Sequence, residues 1–126
     1  MIPHTLLSAN YLSLATYRKN GNAVRTPVWF AHDGNAIYIL SAGEAGKVKR
    51  LRNSSRAEVA PCTYSGTVTG DWHTATAVLI TDPKEVKHAL DCLQNKYGWQ
   101  MRAFNFFSFI GRRINKRAYI RLQITT

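Results

Sequence analysis

The stretch that decides the fold is Ala-Ile-Tyr-Ile-Leu-Ser-Ala-Gly-Glu-Ala-Gly-Lys-Val-Lys-Arg-Leu-Arg, residues 36–52. Its first part is an apolar run rich in residues that favour strands, and this run stops at Ser41. Gly43 and Gly46 then bracket a short loop, and a strongly basic helical segment opens at Lys47. The stretch therefore predicts a strand, a loop and a helix in direct succession.

Lys47 stands at a helix start, which already carries partial positive charge, so a lysine is locally unfavourable there. One explanation is an anion held between the free backbone N–H groups and the lysine, as at phosphate-binding helix starts. The other is that Glu44 supplies the missing negative charge and that Lys47 is solvated. The residues alone leave both explanations open.

The segments before this stretch have the pattern of antiparallel strands. After a short helix expected over residues 3–9, residues 11–18 alternate between two faces, and the following Asn20-Gly21 is a strong hairpin signal. The partner strand is expected over residues 23–31, edge-like or bulged at Pro27, which cannot donate a ladder hydrogen bond. Asp33-Gly34-Asn35 then marks a second hairpin turn into residues 36–41.

The segments after the basic helix, itself expected over residues 47–54, add strands and one well-marked helix. Asp82 can cap this helix, Pro83 suits its first position, Glu85 sits at the capping-box position and Gly98 ends it. Further strands are expected over residues 57–63, 67–80 and 117–126, and the second of these is expected to be interrupted near Gly70-Asp71 by a bulge. About six strands with inserted helices predict a mainly β protein whose antiparallel sheet curls into a barrel.

Composition predicts one domain, residues 1–126, with a large excess of positive charge. Hydrophobic residues make up 45% of the 126 residues and charged residues 19%, as in ordinary globular proteins. No apolar run reaches the roughly 18 residues that span a bilayer. The N-terminus lacks an export signal, so we expect a cytoplasmic protein without a membrane partner. Cys62 and Cys92 have no metal or redox spacing and are expected to be reduced.

The net charge of +10 is typical of proteins that meet polyanions, namely nucleic acid, phosphate-bearing cofactors or acidic membranes. Composition does not choose between these partners. The charge falls in two clusters: Lys47, Lys49, Arg50, Arg52 and Arg56, and then Arg112, Arg113, Lys116, Arg117 and Arg121.

The sequence contains few groups of residues that could form a catalytic site on their own. No histidines have metal-ligand spacing, and no serine, histidine and acid have the flanking pattern of a hydrolase. If the protein is an enzyme, a cofactor is therefore expected to carry the reaction. The segment Val24–Phe30 offers a place for one: beside Pro27, an extended strand can present main-chain groups to a flat ring while Arg25 meets a phosphate or a ring oxygen. The plainer alternative is an edge strand with Trp29 in the core and Arg25 in solvent.

Five segments, in order, resemble the flavin-binding split-barrel proteins related to pyridoxamine 5′-phosphate oxidase, and most nearly the small proteins grouped as F420-dependent oxidoreductases. The resemblance spans residues 11–124 and implies a split β-barrel homodimer, with FMN or the deazaflavin F420 bound at the subunit interface. The segments are Tyr-Leu-Ser-Leu-Ala-Thr-Tyr-Arg-Lys-Asn-Gly (11–21), Val-Arg-Thr-Pro-Val-Trp-Phe (24–30), Gly-Lys-Val-Lys-Arg-Leu-Arg-Asn (46–53), Val-Ala-Pro-Cys (59–62) and Lys-Tyr-Gly-Trp-Gln (96–100).

The resemblance also implies roles for individual residues. Lys47 matches the lysine that meets the cofactor phosphate, and Ser41 the polar residue that ends the preceding strand. Trp72, with Gly70 and Asp71, lies where the second subunit contacts the cofactor. The ring is lined by Arg25, Thr26, Pro27 and Val28, and further phosphate contacts fall to Lys49 and Arg50.

The chain departs from the family pattern at two places. Residues 53–55 are Asn-Ser-Ser where the family has Asn-Pro, and Asp71 replaces a common proline. We expect an oxidoreductase that transfers hydride to or from a small organic substrate. The alternatives are a basic barrel that binds nucleic acid without catalysis, and a flavin carrier or sensor without turnover.

Overall fold

The structure, a computed structural model, describes residues 2–42, 49–51, 54–97 and 117–125. Residues 49–51 are helical, as expected of the basic segment, whereas Lys47, Gly98 and most of the second basic cluster lie outside the described residues. The other elements are α1 (His4–Leu7), β1 (Tyr11–Tyr17), β2 (Ala23–Val28), β3 (Phe30–Asp33), β4 (Ala36–Ala42), β5 (Arg56–Cys62), β6 (His73–Ile80), α2 (Pro83–Tyr97) and β7 (Arg117–Ile124).

The strands form one antiparallel sheet in the order β2-β1-β5-β6-β7-β4-β3. β2 and β3 lie at opposite edges of this order, yet only Trp29 separates them along the chain. Because consecutive Cα atoms are about 3.8 Å apart, the two edges must meet at this residue. The sheet is therefore curled into an open barrel, which confirms the predicted mainly β architecture.

The single strand expected over residues 23–31 is wrong, because this segment forms two strands at opposite edges. Val28 is the last residue that pairs with β1, and Phe30 is the first that pairs with β4. Pro27 withholds a ladder hydrogen bond just before the break. The described chain thus has seven strands instead of about six. The expected second hairpin forms, but its first strand is β3 alone and not the whole of residues 23–31.

The strand expected over residues 67–80 breaks near the predicted place, Gly70-Asp71, but only the part after the break forms a strand. β6 begins at His73, and Val68 makes only an isolated bridge with Cys62. Gly70 lies against Pro61, so that a Cβ atom at Gly70 would stand 2.7 Å from the Pro61 Cγ atom. The connection between β5 and β6 therefore folds back along β5 instead of extending the ladder.

Side-chain alternation gives the barrel an apolar interior. Leu12, Leu14 and Thr16, which alternate along β1, are all 0% exposed. Leu51 joins them, so the basic helix has one face on the core. Every strand of the described sheet contributes to this interior cluster: Ile2, Leu6, Leu12, Leu14, Val28, Phe30, Ile37, Ile39, Leu51, Ala57, Val59, Ala75, Ala77, Ile120 and Leu122.

The helix α2 packs outside the barrel against β3 and β4. Its start matches the prediction, since the Lys84 backbone N–H donates to Asp82 Oδ1 at 3.1 Å and Pro83 is its first residue. The Glu85 carboxylate accepts a hydrogen bond from Arg121 Nη1 at 2.6 Å. A second cluster lies between this helix and the sheet, built on Ala31, Tyr38, Leu40, Ile80, Ala89, Leu93 and Tyr119. Among the described residues, none of the helices combines the length and the hydrophobicity of a membrane-spanning segment.

Candidate functional site

The strand β2 presents Arg25 and Pro27 on the outside of the barrel. Both are exposed. Directly paired residues share a face of the sheet, so Thr26, which pairs with buried Leu14, has the opposite orientation. These features agree with the plainer alternative for this segment, since β2 is an edge strand and Trp29 packs, half-buried, against the cluster beneath α2. The use of this outer surface by a flat ligand stays a prediction.

Arg25 does not extend freely into solvent. Its guanidinium carbon lies 4.8 Å from the centroid of the Trp72 ring, which is a cation–π contact within one chain. The sequence predicted both residues for the site, but it predicted Trp72 for the cofactor of the second subunit. The structure brings the two together, and their contact fixes the direction of the Arg25 side chain.

The β5–β6 connection, residues 63–72, covers part of the same surface. Gly66 has φ +97°, and a Cβ atom there would stand 3.8 Å from the Pro27 ring. The connection then carries Trp72 to Arg25. Tyr64, near the start of the connection, is 78% exposed. Sequence reasoning did not assign Gly66 to the site, because only the folded connection brings it to Pro27.

The hydroxyl of Thr26 is a buried polar group without a partner. Its oxygen makes no hydrogen bond within the described chain. A buried hydroxyl left unpaired costs about 1–3 kcal/mol. Sequence reasoning placed Thr26 in the site through its main chain and gave no sign of this unpaired side chain.

The phosphate end of the predicted site is only partly described. The backbone of Ser41 pairs with Ala118 in the β4–β7 ladder, while Lys47 lies outside the described residues. β2 and β4 are not ladder neighbours, yet they are in contact. β2 and β4 are therefore brought together by the curling of the sheet and not by a hairpin. That the end of β4 and the basic helix form an anion site beside β2 stays a prediction.

Lys49 and Arg50 line a cleft of about 500 Å³ beside the β1–β2 turn. The Arg50 Nε–H donates to Thr16 Oγ1 at 2.6 Å. Burial, together with repulsion from Arg18, lowers the pKa of the Arg50 guanidinium. Sequence reasoning named Lys49 and Arg50 but missed the part of the turn that faces them. The signal available was Arg18-Lys19, two adjacent cations beside the Asn20-Gly21 turn.

The remaining polar cluster lies between α2 and β3. His88 Nε2 lies 2.7 Å from Asp33 Oδ2 and 3.8 Å from Cys92 Sγ. Burial, and then the nearby charges of Asp33 and Asp91, raise the pKa of the Cys92 thiol, so it is not an activated nucleophile. Cys62 and Cys92 are both free thiols, as expected. In the described ranges no three histidine, cysteine or acidic side chains are placed to hold a metal ion.

Comparison with solved structures places this fold among known proteins. HutZ, the heme storage protein from Vibrio cholerae, matches with a TM-score of 0.72 and 13% identity, over 94% of this chain and 84% of that one. A FAD-binding protein from Mesorhizobium loti matches with a TM-score of 0.63 and 16% identity, over 98% and 84%. A conserved hypothetical protein from Mycobacterium tuberculosis matches with a TM-score of 0.71 and 18% identity, over 98% and 78%. At these identities the likeness shows a shared fold.

Comparison of sequences gives the family. No curated protein matches the chain. A family model described as pyridoxamine 5′-phosphate oxidase matches residues 4–126, which is nearly the whole sequence and includes β2, the basic helix and the β5–β6 connection. Together with the curled antiparallel sheet, this match confirms the resemblance drawn from the five segments. The chain belongs to the pyridoxamine 5′-phosphate oxidase family and has its split-barrel fold.

Proposed function

We propose that the protein is an oxidoreductase that binds FMN or F420 along β2 and transfers hydride to or from a small organic substrate. The observation that carries this proposal is the outer surface of β2, where Arg25 is held by Trp72 beside Pro27. The family match supports a flavin-type cofactor. The similarity of fold to a FAD-binding protein supports it as well.

The chemistry of this surface suits a flat cofactor with an anionic tail. β2 is an edge strand, so the peptide groups on its free side have no ladder partner within the described sheet. Such groups match the polar edge of a heteroaromatic ring. Arg25 supplies a guanidinium for a phosphate or ring oxygen, and Lys47 would neutralise the phosphate at the helix start.

When bound, FMN or F420 supplies the ring that accepts or donates the hydride. The residues of the chain would hold and polarise this ring through the main chain of residues 25–28, with Ser41 at the end of β4. Lys49 and Arg50 would add positive charge near the helix start. Solvent can provide any proton that the reaction needs, so we assign no side chain as a general acid or base.

Titration of FMN and F420, followed by fluorescence, tests the proposal. We expect binding by the wild-type protein and clearly weaker binding by Lys47→Ala, because a charge-assisted hydrogen bond contributes about 1.5–3 kcal/mol. That loss corresponds to about a 10- to 150-fold rise in Kd. Lys84→Ala, which removes an exposed lysine of α2, is the matched control and should bind like the wild type.

The absorption spectrum of the freshly purified protein separates the alternatives. FMN and F420 absorb at different wavelengths, and heme, the ligand of the structurally similar storage protein HutZ, has a spectrum of its own. A folded protein that binds neither FMN nor F420 would refute the proposal. Turnover with reduced cofactor and candidate acceptors distinguishes an enzyme from a carrier or sensor. Tight, steeply salt-dependent binding of single-stranded nucleic acid would favour the non-enzymatic alternative.

A further inference from the structure

The cleft beside the β1–β2 turn is a site that the proposed cofactor does not use in full. One wall is the turn itself, with Arg18, Lys19 and Gly21, and the other is the helical segment with Lys49 and Arg50. Ser54 and Arg56, at the start of β5, and Tyr17, at the end of β1, complete the lining. Its volume of about 500 Å³ is within the range of small-molecule sites.

The lining of this cleft is strongly basic. Arg18, Lys19, Lys49, Arg50 and Arg56 all contribute to it, and no carboxylate is among the described residues that line it. Tyr17, which also lines the cleft, donates the hydrogen bond of its hydroxyl to the Glu58 carboxylate. The described lining thus carries five cations and no carboxylate of its own.

Two of the guanidinium groups are fixed in place. Arg50 Nε–H donates to the buried Thr16 hydroxyl at 2.6 Å. The Arg56 guanidinium carbon lies 3.9 Å from the centroid of the Tyr17 ring. Fixed guanidinium groups lose less conformational freedom when an oxyanion binds, and each can donate two parallel hydrogen bonds to it.

Arg18 adds a destabilising interaction that an anion would relieve. Its charge, after burial, is the second cause of the lowered pKa of the Arg50 guanidinium. The two like charges are thus close enough to repel each other. A ligand with several negative charges between them would replace this repulsion by attraction.

We propose that this cleft binds a compact polyanion, a small molecule with at least three negative charges on neighbouring phosphate or carboxylate groups. The site goes beyond the proposed function, although it shares Lys49 and Arg50 with the positions assigned to the cofactor. Arg18, Lys19 and Arg56 belong to none of the positions assigned to FMN or F420. Nucleic acid is the less suitable ligand, because the cations converge on one cleft of small-molecule size instead of following a continuous groove.

Calorimetric titration of the whole protein with inorganic triphosphate, and separately with citrate, tests this proposal. We expect one ligand per chain, and the more tightly bound probe identifies phosphate or carboxylate as the preferred group. The double variant Arg18→Gln/Lys19→Gln changes two exposed turn residues and should bind at least about tenfold more weakly. Lys84→Gln/Lys87→Gln removes the same charge from α2 and should leave the affinity unchanged.

Three results would overturn the proposal: absence of binding to both probes, equal weakening in the two double variants, and tighter binding of a single-stranded oligonucleotide than of triphosphate. The affinity of Arg18→Gln/Lys19→Gln for FMN and F420 is the remaining measurement. We expect this variant to bind both cofactors as tightly as the wild type does. If this variant loses cofactor affinity as well, the cleft is part of the cofactor site, so the additional site is refuted while the proposed function stands.

Discussion

Thr26 has a buried hydroxyl that finds no partner in the described chain, although it lies on the strand assigned to the cofactor. Valine has the same shape without the hydroxyl, so Thr26→Val removes an unpaired polar atom and leaves no cavity. We therefore expect the free energy of unfolding of the cofactor-free protein to rise by about 1 kcal/mol. Urea denaturation of both proteins measures this difference.

Thr16→Val is the matched comparison for this experiment. The Thr16 hydroxyl is also buried, but it accepts the hydrogen bond of Arg50 Nε. Its removal should lower the free energy of unfolding by about 1–3 kcal/mol, because the guanidinium loses its acceptor. A similar loss in Thr26→Val would show that the Thr26 hydroxyl has a partner. A specific loss of FMN or F420 affinity in Thr26→Val would identify the cofactor as that partner.

Lys96 holds its ammonium group against the core, although the residue as a whole is exposed. Its Nζ atom lies 3.1 Å from the Phe30 ring centroid and 3.1 Å from the Ala9 carbonyl oxygen, to which it donates. Burial of this group lowers the pKa of Lys96 to about 8. The unfolded chain, with the ordinary pKa of 10.5, binds more protons between these two values. The contribution of Lys96 to the free energy of unfolding should therefore increase as the pH rises from about 8 to 10.5.

Lys96→Met isolates this effect, since methionine keeps an apolar stem but does not titrate. The free energy of unfolding of the wild type, minus that of Lys96→Met, should increase over this pH range. We expect about 1 kcal/mol or less, because solvent screens an exposed side chain. Lys87→Met, at an exposed position of the same helix, should show no such trend. A constant difference for Lys96→Met from pH 7 to 10.5 would show that its ammonium is fully hydrated.

Single residues of the site were predictable from sequence only where their chemistry is local. Pro27 indicates an edge position because it lacks a backbone N–H, and the structure confirms that β2 is an edge strand. The anion site at Lys47 stays a prediction, because Lys47 lies outside the described residues. The contact between Arg25 and Trp72 joins residues far apart in the chain, and no local pattern indicates it. Arg18 and Lys19 look like ordinary solvated turn residues until the fold brings Arg50 opposite them.

At the scale of elements, helix ends were more predictable than strand ends. The start of α2 depends on Asp82 and Pro83, which act within one turn. The ends of β2 and β6 depend on pairing with distant strands. Alternation continues across residue 29, so periodicity could not show that the chain changes partner there from β1 to β4. A strand boundary set by the partner cannot be read from the strand itself.

At the scale of the whole molecule, the barrel follows from the hairpin signals and the alternation, but its closure follows from the break at residue 29. Closure leaves β2 and its outer surface exposed beside the β5–β6 connection.

A flat ring on this outer surface of β2 would be covered on one face only. An isologous pair of chains offers the same surface twice, so a second subunit can cover the other face. This argument gives a physical reason for the homodimer with a cofactor at its interface that the resemblance implies.

A homodimer with shared cofactor sites would make a prediction for mixed dimers of two defective chains, one with Lys47→Ala and the other with Trp72→Ala. If each cofactor meets Lys47 of one subunit and Trp72 of the other, one site in every mixed dimer has both residues. Random mixing should then restore about a quarter of all sites, because half of the dimers are mixed. We expect this restoration in fluorescence titrations after the two variants are unfolded and refolded together.

The contact of Trp72 with Arg25 of its own chain supplies the competing expectation. If one chain provides both Lys47 and Trp72, no mixed dimer contains an intact site, and binding stays at the level of the separate variants. A second experiment refolds the double variant Lys47→Ala/Trp72→Ala together with the wild type. Here the arrangement with both residues from one chain predicts the larger fraction of intact sites. The mixture should leave about a quarter of the sites intact when the residues come from different subunits, but about half when they come from one. Light scattering must first show a species of twice the 14.2 kDa chain mass, because a monomer that still binds the cofactor would refute the shared site outright.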